Sequence, residues 1–332
     1  MSEFRQNPIN KSWVLIAPSR GKRPDDYRTY SVMHGEPELD PKCVFCPGNE
    51  HLNTEIGRVP ENAKWWDIRV IQNKFQALEH TSVYRRKDFY VSHSGDGDHE
   101  VIITRKHNEP VALQSINTVE LSLKAFIESI ERLGKQPDLA YVQIFHNHGR
   151  DAGGSLVHPH YQIISTPIVP PTVHAELLGC YHHYQNYQSC IYCDIIKEEQ
   201  AVKERVVHED DHFIVLSAYA SRSPFETWIL PKRHSARFED LSPEELRHLA
   251  FVLKVTLGQI YTKLSDPPLN FYIHNMPLRQ SRQHSAYEEK AYHWHLTIFP
   301  RITIWAGFEF ATGIPINPIT PEVTAKFLRG EM

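Results

Sequence analysis

The sequence CVFC at residues 43–46 returns as CIYC at residues 190–193, and the motifs that follow the two pairs come in the same order. Each pair is followed by an apolar run typical of a strand. A second β-rich run then ends in a basic residue and a histidine, which is His107 in the first half and His234 in the second. Each half continues with an amphipathic helical pattern and ends with a strand that contains His-x-His. The chain therefore reads as two copies of one unit.

Start and stop signals support the two predicted helices. Asn117 and Glu120 stand at capping-box spacing before the first apolar stripe, and Gly134 follows that stripe. Ser242 and Glu245 open the second stripe. These patterns predict an α+β fold of two tandem repeats, each an antiparallel sheet with a helix packed on one face. The proline-rich segment at 166–172 places the boundary between a domain at 1–170 and a domain at 171–332.

Composition excludes several classes of partner. The 332 residues carry a formal net charge of −4, and basic residues are not interleaved with aromatic ones, so we expect no nucleic-acid binding and no attraction to an anionic membrane. No run of apolar residues is long enough to span a bilayer, and the first residues lack the apolar core of a signal peptide. We therefore expect a cytoplasmic protein.

The paired cysteines and the matched histidines predict two metal sites. Two thiolates in a C-x-x-C turn and two imidazoles form a tetrahedral set that suits zinc, so we expect two zinc ions per chain, with iron as the alternative in one site. A single C-x-x-C would equally suit a redox pair or buried thiols. His295 remains an alternative ligand to His293, because residues two apart in a strand face the same side. The predicted sets are Cys43, Cys46, His107 and His158, and Cys190, Cys193, His234 and His293.

Cys180 has no counterpart in the first half. It opens the segment CYHHYQNYQSC at residues 180–190, whose histidines and tyrosines indicate a surface loop without a special role.

The strongest chemical signal is AGGSLVHPHYQIIS at residues 152–165. Gly153 and Gly154 allow backbone N–H groups to approach phosphate oxygens, and the Ser155 hydroxyl adds a donor. His158, His160 and Gln162 alternate on one face of the following strand. A histidine on that face could attack phosphorus, so this segment predicts a phosphate site beside a nucleophilic imidazole.

Six segments together resemble the galactose-1-phosphate uridylyltransferase family of the histidine-triad superfamily, over nearly the whole chain. This resemblance implies two histidine-triad-like repeats per subunit and a homodimer. It also implies that His160 receives a nucleotidyl group from a nucleotide sugar, with Gln162 at the transferred phosphoryl group and Ser155 among the residues that hold the phosphates. The matching segments are RGKRP at 20–24, CVFCPGNE at 43–50, QNKFQAL at 72–78, FHNHG at 145–149, GGSLVHPHYQ at 153–162 and AGFEFATGIPINPITPE at 306–322.

The resemblance also implies substrate contacts. By position, Asn147 resembles a phosphate ligand, Asn73 a nucleoside contact, Arg20 and Arg23 residues near the diphosphate, and Glu309 a ligand of hexose hydroxyls. For the first metal site, the resemblance implies the same four ligands that the spacing predicts, which are Cys43, Cys46, His107 and His158.

Two reactions remain open on this scaffold. We expect uridylyl exchange between UDP-glucose and a hexose 1-phosphate, with adenylyl transfer from ADP-glucose to phosphate as the alternative. Asn73 is followed by Lys74, where the uridylyltransferases carry an Asn-Asp pair. The C-terminal segment GFEFATGIPINP is more similar to that of the ADP-glucose phosphorylases. A zinc-stabilised binding protein without catalysis is the competing class, and the complete set of Ser155, His160 and Gln162 argues against it.

Overall fold

The computed structural model describes residues 1–21, 27, 35–61, 63–78, 89–281 and 289–332. Strands and helices follow one another in two similar halves. The first half contains β1 (Glu3–Gln6), β2 (Trp13–Ile16), β3 (Glu55–Val59), β4 (Ile68–Gln72), β5 (His99–Thr104), α1 (Ile116–Leu133), β6 (Tyr141–His148) and β7 (His160–Thr166). The second half contains α2 (Pro171–Tyr187), α3 (Ile191–Val202), β8 (Val206–Glu209), β9 (Phe213–Leu216), β10 (Thr227–Pro231), α4 (Pro243–Leu264), β11 (Leu269–His274), β12 (His295–Pro300), α5 (Gly307–Thr312), β13 (Ile316–Asn317) and α6 (Pro321–Arg329).

Ten strands form one continuous antiparallel sheet in the order β3-β4-β5-β7-β6-β11-β12-β10-β9-β8. Each half contributes five strands, so the predicted α+β fold of two antiparallel repeats is confirmed. The halves are more closely joined than predicted, because β6 pairs with β11 and the two five-stranded sheets become one. This pairing satisfies the backbone groups on an edge that each half would otherwise leave open.

Both predicted helices pack on the same face of the sheet. Buried residues of α1 and α4 belong to one apolar core that crosses the boundary between the halves. The capping box of Ser242 and Glu245 is confirmed at the start of α4. The predicted start of α1 at Asn117 is wrong, because Ser115 is the N-cap and accepts a hydrogen bond from the N–H of Thr118. Asn117 already lies inside the first turn.

The segment at 180–190 is mostly helical, so the prediction of a surface loop is wrong. Most of it forms the second half of α2, and along the whole helix Val173, Leu177 and Cys180 are buried at a spacing that brings them to one helix face. Gly179 lies against the N-terminal segment, and a Cβ at this position would come within 1.9 Å of the carbonyl oxygen of Ile9. The apolar period was present in the sequence but was masked by the many histidines and tyrosines.

A small second sheet joins the two ends of the chain. β1 and β2 are antiparallel, and the C-terminal strand β13 pairs in parallel with β2. Within the described ranges, none of the helices combines the length and the apolar character that crossing a bilayer requires.

Candidate active site and metal centres

The face of the sheet opposite α1 and α4 carries the predicted catalytic residues. Along β7, Tyr161 and Ile163 belong to the core on the helix side, and Tyr161 packs against Phe126 of α1 at 5.0 Å between ring centroids. Because successive strand residues point to opposite faces, His160 and Gln162 lie on the other side of the sheet.

His160 is held in one orientation. Its Nδ1–H donates to the carbonyl oxygen of His158 at 2.8 Å, which leaves the lone pair of Nε2 as the free end of the ring. The backbone is fixed as well, because Nδ1 of His146 lies 2.7 Å from the carbonyl oxygen of His160. The residue is only 6% exposed, and this burial lowers the pKa of His160. The imidazole is therefore neutral near pH 7 and able to act as a nucleophile.

Gln162 is oriented by a residue that sequence reasoning missed. Nε2 of His99 lies 2.9 Å from Oε1 of Gln162, and the side-chain amide nitrogen of Asn73 lies 3.0 Å from the same Nε2 and 3.3 Å from Nδ1. Because Oε1 can only accept, the Nε2–H donates to it, and Asn73 can donate only to Nδ1. Burial lowers the pKa of His99, so its ring is neutral and donates through a single nitrogen. With its oxygen accepting from His99, Gln162 presents its NH₂ group to a ligand. The missed signal was the alternation along β5, which places His99 on the face of Val101 and Ile103.

Asn147 is oriented in the same way from the second half of the chain. The amide nitrogen of Asn270 lies 2.8 Å from the carbonyl oxygen of Ala152 and 2.8 Å from Oδ1 of Asn147. A backbone carbonyl can only accept, so Asn270 must donate to both oxygens. Asn147 therefore turns its own NH₂ group away from Asn270. The side-chain amides of Gln162 and Asn147 are thus two donors with fixed orientation.

A cavity of about 680 Å³ lies above the glycine-rich loop, and we call it the loop cavity. Asn147, Gly154, Ser155 and His158 are among the residues that line it, and it reaches Pro159 directly before His160. Ser155 is exposed, so its hydroxyl is accessible to a ligand.

The two predicted loop glycines serve the backbone rather than a ligand. Gly153 has a φ of +84°, which favours glycine, and a Cβ on Gly154 would come within 2.9 Å of the carbonyl oxygen of Gly149. Their N–H groups donate to the carbonyl oxygens of Arg150 and Gly149, each at 2.9 Å. Contrary to our expectation, these two N–H groups are not free to bind phosphate, and the amide and hydroxyl side chains remain as donors.

The structure brings Cys43, Cys46, His107 and His158 together, with one ligand atom of each within 4.8 Å of the others. Nδ1 of His158 lies 3.6 Å from Sγ of Cys43 and 3.5 Å from Sγ of Cys46. A zinc tetrahedron places sulfur and nitrogen ligands about 3.5 Å apart. The remaining nitrogen of His158 donates to the carbonyl oxygen of Thr104 at 2.6 Å, which fixes the ring as in many metal sites.

This first cluster touches His160, the predicted nucleophile. Phe45, inside the C-x-x-C turn, packs edge-on against the rings of His158 and His160, with centroids 6.0 Å and 5.3 Å apart. The carbonyl of His158 also accepts the Nδ1–H of His160. The orientation of His160 thus depends on that of His158.

The second cluster repeats the arrangement with Cys190, Cys193, His234 and His293. Sγ of Cys193 lies 3.4 Å from Nδ1 of His234 and 3.7 Å from Nδ1 of His293. The other ring nitrogen of His293 lies 2.9 Å from the carbonyl oxygen of Pro231, in parallel with His158. His295 instead forms a separate buried group with Glu176 and His274. Of the two alternatives, His293 is therefore the one near the cysteines.

Two predicted substrate contacts, Arg20 and Glu309, are not brought to the loop cavity. Arg20 is exposed at the end of a 3-10 turn and does not line that cavity. Glu309 is mostly buried and its carboxylate accepts from the N–H of Ala306, at the start of α5. Arg23 lies outside the described residues.

Comparison with known proteins agrees with this architecture. The profile described as "Galactose-1-phosphate uridyl transferase, N-terminal domain" matches residues 1–170, and the profile of the C-terminal domain matches residues 177–326. An ADP-glucose phosphorylase from Arabidopsis thaliana is 34% identical, over 98% of this chain and 92% of that protein. A galactose-1-phosphate uridylyltransferase from Thermotoga maritima is 27% identical, over 99% and 98%.

A solved structure resembles the whole chain. The crystal structure of an ADP-glucose phosphorylase from Arabidopsis thaliana with bound ADP-glucose has a TM-score of 0.84 and 31% identity, and the match covers 99% of this chain and 98% of that one. With two domain profiles that together span almost all of its length, the chain belongs to the galactose-1-phosphate uridyl transferase family.

Proposed function

We propose that the protein is a nucleotidyltransferase that forms a covalent nucleotidyl intermediate on His160. The observation that carries this proposal is the state of His160, a neutral buried imidazole whose Nδ1–H donates to a carbonyl and whose Nε2 has no hydrogen-bond partner among the described residues. Two oriented amides, Gln162 and Asn147, lie on the same sheet face.

In the first transfer the lone pair of His160 Nε2 attacks the α-phosphorus of a nucleotide sugar. A P–N bond forms, the bond between the α-phosphorus and the bridging oxygen breaks, and the electron pair leaves with sugar 1-phosphate. The ring becomes cationic and keeps its Nδ1–H on the carbonyl of His158. In the second transfer an oxygen of a sugar 1-phosphate or of inorganic phosphate attacks the same phosphorus, and the P–N electrons return to His160.

Fixed donors stabilise the charge that develops on the phosphoryl oxygens. Gln162 and Asn147 present NH₂ groups, and Ser155 presents a hydroxyl. Because their partners hold them in place before the reaction, little reorganisation is needed in the transition state. Gln162 cannot titrate, which favours an intermediate that waits for a phosphate acceptor over one that is hydrolysed.

The two Cys2His2 clusters fit zinc, so we propose two zinc ions per chain, with iron as the alternative in one cluster. The donor set of two thiols and two imidazoles and the distances of 3.4 to 3.7 Å between sulfur and nitrogen atoms support this assignment. The ions would be structural, since each set of four protein ligands is complete. In this role the first cluster holds His158, and through it His160.

The sequence favours uridylyl exchange between UDP-glucose and a hexose 1-phosphate. The comparisons support a second candidate reaction, the phosphorolysis of ADP-glucose. ADP-glucose phosphorolysis is supported by the Arabidopsis thaliana relative, which matches almost the full length of both proteins and whose solved structure holds ADP-glucose. The test combines each nucleotide sugar with each acceptor. UDP-glucose consumed only with hexose 1-phosphate supports exchange, and ADP-glucose consumed with inorganic phosphate, releasing ADP, supports phosphorolysis. No turnover in any combination contradicts the proposal.

We also propose a cytoplasmic homodimer with the domain boundary at residue 170. None of the five cysteines forms a disulfide, as expected in a reducing compartment. Several large apolar side chains of the described residues are exposed, among them Phe89 at 85%, Ile304 at 93% and Phe310 at 75%. Such surface is typical of subunit interfaces. Replacing Ile304 and Phe310 together by Asp should convert a dimer to monomers in light scattering; an unchanged mass excludes this surface.

A further inference from the structure

Two histidines and a glutamate meet at the surface near one edge of the large sheet, and we call this group the edge cluster. His212 lies in the turn between β8 and β9, and Glu244 and His248 lie four residues apart in the first two turns of α4. Nε2 of His212 is 3.7 Å from Oε1 of Glu244, and the centroids of the two imidazole rings are 4.3 Å apart. One ligand atom of each residue lies within 4.8 Å of the others, so the three side chains are close enough to bind one ion.

Asp210 orients both histidines of the edge cluster. Its Oδ1 accepts hydrogen bonds from the N–H groups of His212 and Phe213, at 2.8 Å and 2.7 Å, and this fixes the turn that carries His212. Its Oδ2 lies 3.0 Å from Nδ1 of His248. Because a carboxylate can only accept, the proton of His248 is on Nδ1 and the lone pair of Nε2 is available to a ligand. Metal-binding histidines are oriented by carboxylates in the same way.

The charges around the edge cluster favour a cation. The ammonium group of Lys232 lies close to the turn, where it donates to the carbonyl oxygen of Asp210 at 2.8 Å, but it is paired with Glu209 at 2.9 Å. The carboxylates of Asp210 and Glu244 then leave two negative charges beside the two imidazoles. A divalent cation would balance both charges.

The donor set selects the class of ion. Imidazole nitrogen suits zinc and other transition metals, whereas magnesium and calcium prefer oxygen ligands. His212 and His248 are partly exposed and Glu244 is exposed, so solvent reaches the cluster and Glu244 can turn toward an ion. Three protein ligands leave the fourth position of a zinc tetrahedron to water. An ion held in this way exchanges more easily than one enclosed by two thiolates and two imidazoles.

The edge cluster lies far from His160. In the order of the sheet, β9 is five strand positions from β7, which corresponds to about 24 Å at about 4.8 Å per strand. In addition, α4 packs on the face of the sheet opposite to His160. An ion at this place would connect the turn before β9 to the start of α4, and it would not contact the reacting groups.

We infer that the edge cluster binds one divalent transition-metal ion such as zinc, through His212, Glu244 and Nε2 of His248. This ion is additional to those of the two Cys2His2 clusters, and the inference does not depend on the proposed reaction.

The test counts zinc ions beyond those of the cysteine clusters. The full chain is loaded with zinc, freed of excess metal by gel filtration, and titrated with zinc in a calorimeter near neutral pH. His212→Gln and His248→Gln each remove one ligand at the surface. Asp210→Asn keeps an oxygen for the turn but loses the second acceptor for the Nδ1–H of His248. His182→Gln, which changes an exposed histidine of α2, is the matched control.

We expect one further equivalent of zinc in the unsubstituted protein. His212→Gln and His248→Gln should each weaken its binding at least about tenfold, and Asp210→Asn about tenfold as for other groups that orient a metal ligand. His182→Gln should stay within about twofold. No further equivalent in the unsubstituted protein overturns the inference, and so does a further equivalent that both ligand variants bind with unchanged affinity. An unchanged affinity in Asp210→Asn overturns the assignment of Nε2 of His248 as a ligand.

Cobalt(II) identifies the donor atoms of the additional site. Added to the zinc-loaded chain, one equivalent should give the weak visible bands of a site with nitrogen and oxygen ligands, and these bands should be lost in His248→Gln. An intense sulfur-to-cobalt absorption instead assigns the additional ion to a cysteine cluster and overturns the inference. Label uptake by His160 should be unchanged in His212→Gln and His248→Gln, so a failure of the proposed reaction and a failure of the edge cluster are seen separately.

Discussion

Replacing Cys43 by Ser should slow catalysis far more than replacing its counterpart Cys190. Sγ of Cys43 lies 3.6 Å from Nδ1 of His158, and the carbonyl of His158 accepts the Nδ1–H of His160 at 2.8 Å. Losing the thiolate releases one side of His158 and so shifts the attacking nitrogen of His160. In the second half, the residue two positions after His293 is His295, which is buried next to Glu176 and does not serve the loop cavity.

The size of the effect follows from the precision that in-line attack requires. A displacement of about 1 Å costs about a hundredfold in rate, and loss of a group that orients a ligand costs about 10- to 100-fold. We expect Cys43→Ser to slow nucleotidyl-enzyme formation about 10- to 100-fold, or about 1.4 to 2.7 kcal/mol in activation free energy. Cys190→Ser should stay within about threefold, less than about 0.7 kcal/mol.

The assay is a single-turnover, rapid-quench measurement of label transfer from a nucleotide sugar labelled in its α-phosphate. Circular dichroism and metal analysis of both variants confirm that each is folded and has lost metal from one cluster only. Equal slowing in the two variants refutes the reasoning, because metal loss would then act through general stability and not through His158. Normal rates in both refute it as well.

Three further substitutions test separate parts of the account. Gln162→His should keep label uptake but divert the intermediate to water, since a histidine can assist proton transfer; transfer that falls with no rise in released nucleoside monophosphate refutes this role. The hydrogen bond from Arg233 lowers the pKa of Glu245 to about 2 from 4.5, so its carboxylate stabilises the fold above pH 4.5, and this contribution is lost as pH falls through about 2. Because Arg233 is half exposed, Glu245→Gln should cost only about 1 to 2 kcal/mol in urea unfolding at pH 7 and less than half of that at pH 3; an equal cost at both pH values contradicts it. Gly179→Ala should cost about 1 to 3 kcal/mol of unfolding free energy, because its Cβ meets the backbone of the N-terminal segment, whereas Gly307→Ala, with no atom within 4 Å, should cost nothing; equal stabilities refute this packing.

Much of the fold could be predicted because the two halves repeat one pattern. Apolar periods identified the main strands and the helices α1 and α4 but not α2, and Ser242 marked the start of α4. The pairing of β6 with β11 could not be predicted, because alternation tells which face a residue occupies and not which strand lies next to it. The same limit hid the parallel pairing of β13 with β2.

The candidate site could also be predicted only in part. The two sets of cysteines and histidines could be predicted from the repeat, but spacing left His293 and His295 open, because both face the same side of one strand. The orientation of Gln162 by His99 and of Asn147 by Asn270 could not, because both depend on the register between strands distant in the chain. Gly153 shows a further limit, since the residue type indicates a turn but not where its N–H group points.

Covalent labelling of His160 tests the central claim most directly. The protein and its His160→Ala variant are incubated with UDP-glucose or ADP-glucose labelled in the α-phosphate, and acid-labile label on the denatured chain is counted. The account predicts about one label per chain with one of the two nucleotide sugars, and none in the variant, whose fold and metal content are unchanged. Label that persists in His160→Ala, or its absence from the unsubstituted protein with both nucleotide sugars, would contradict the account.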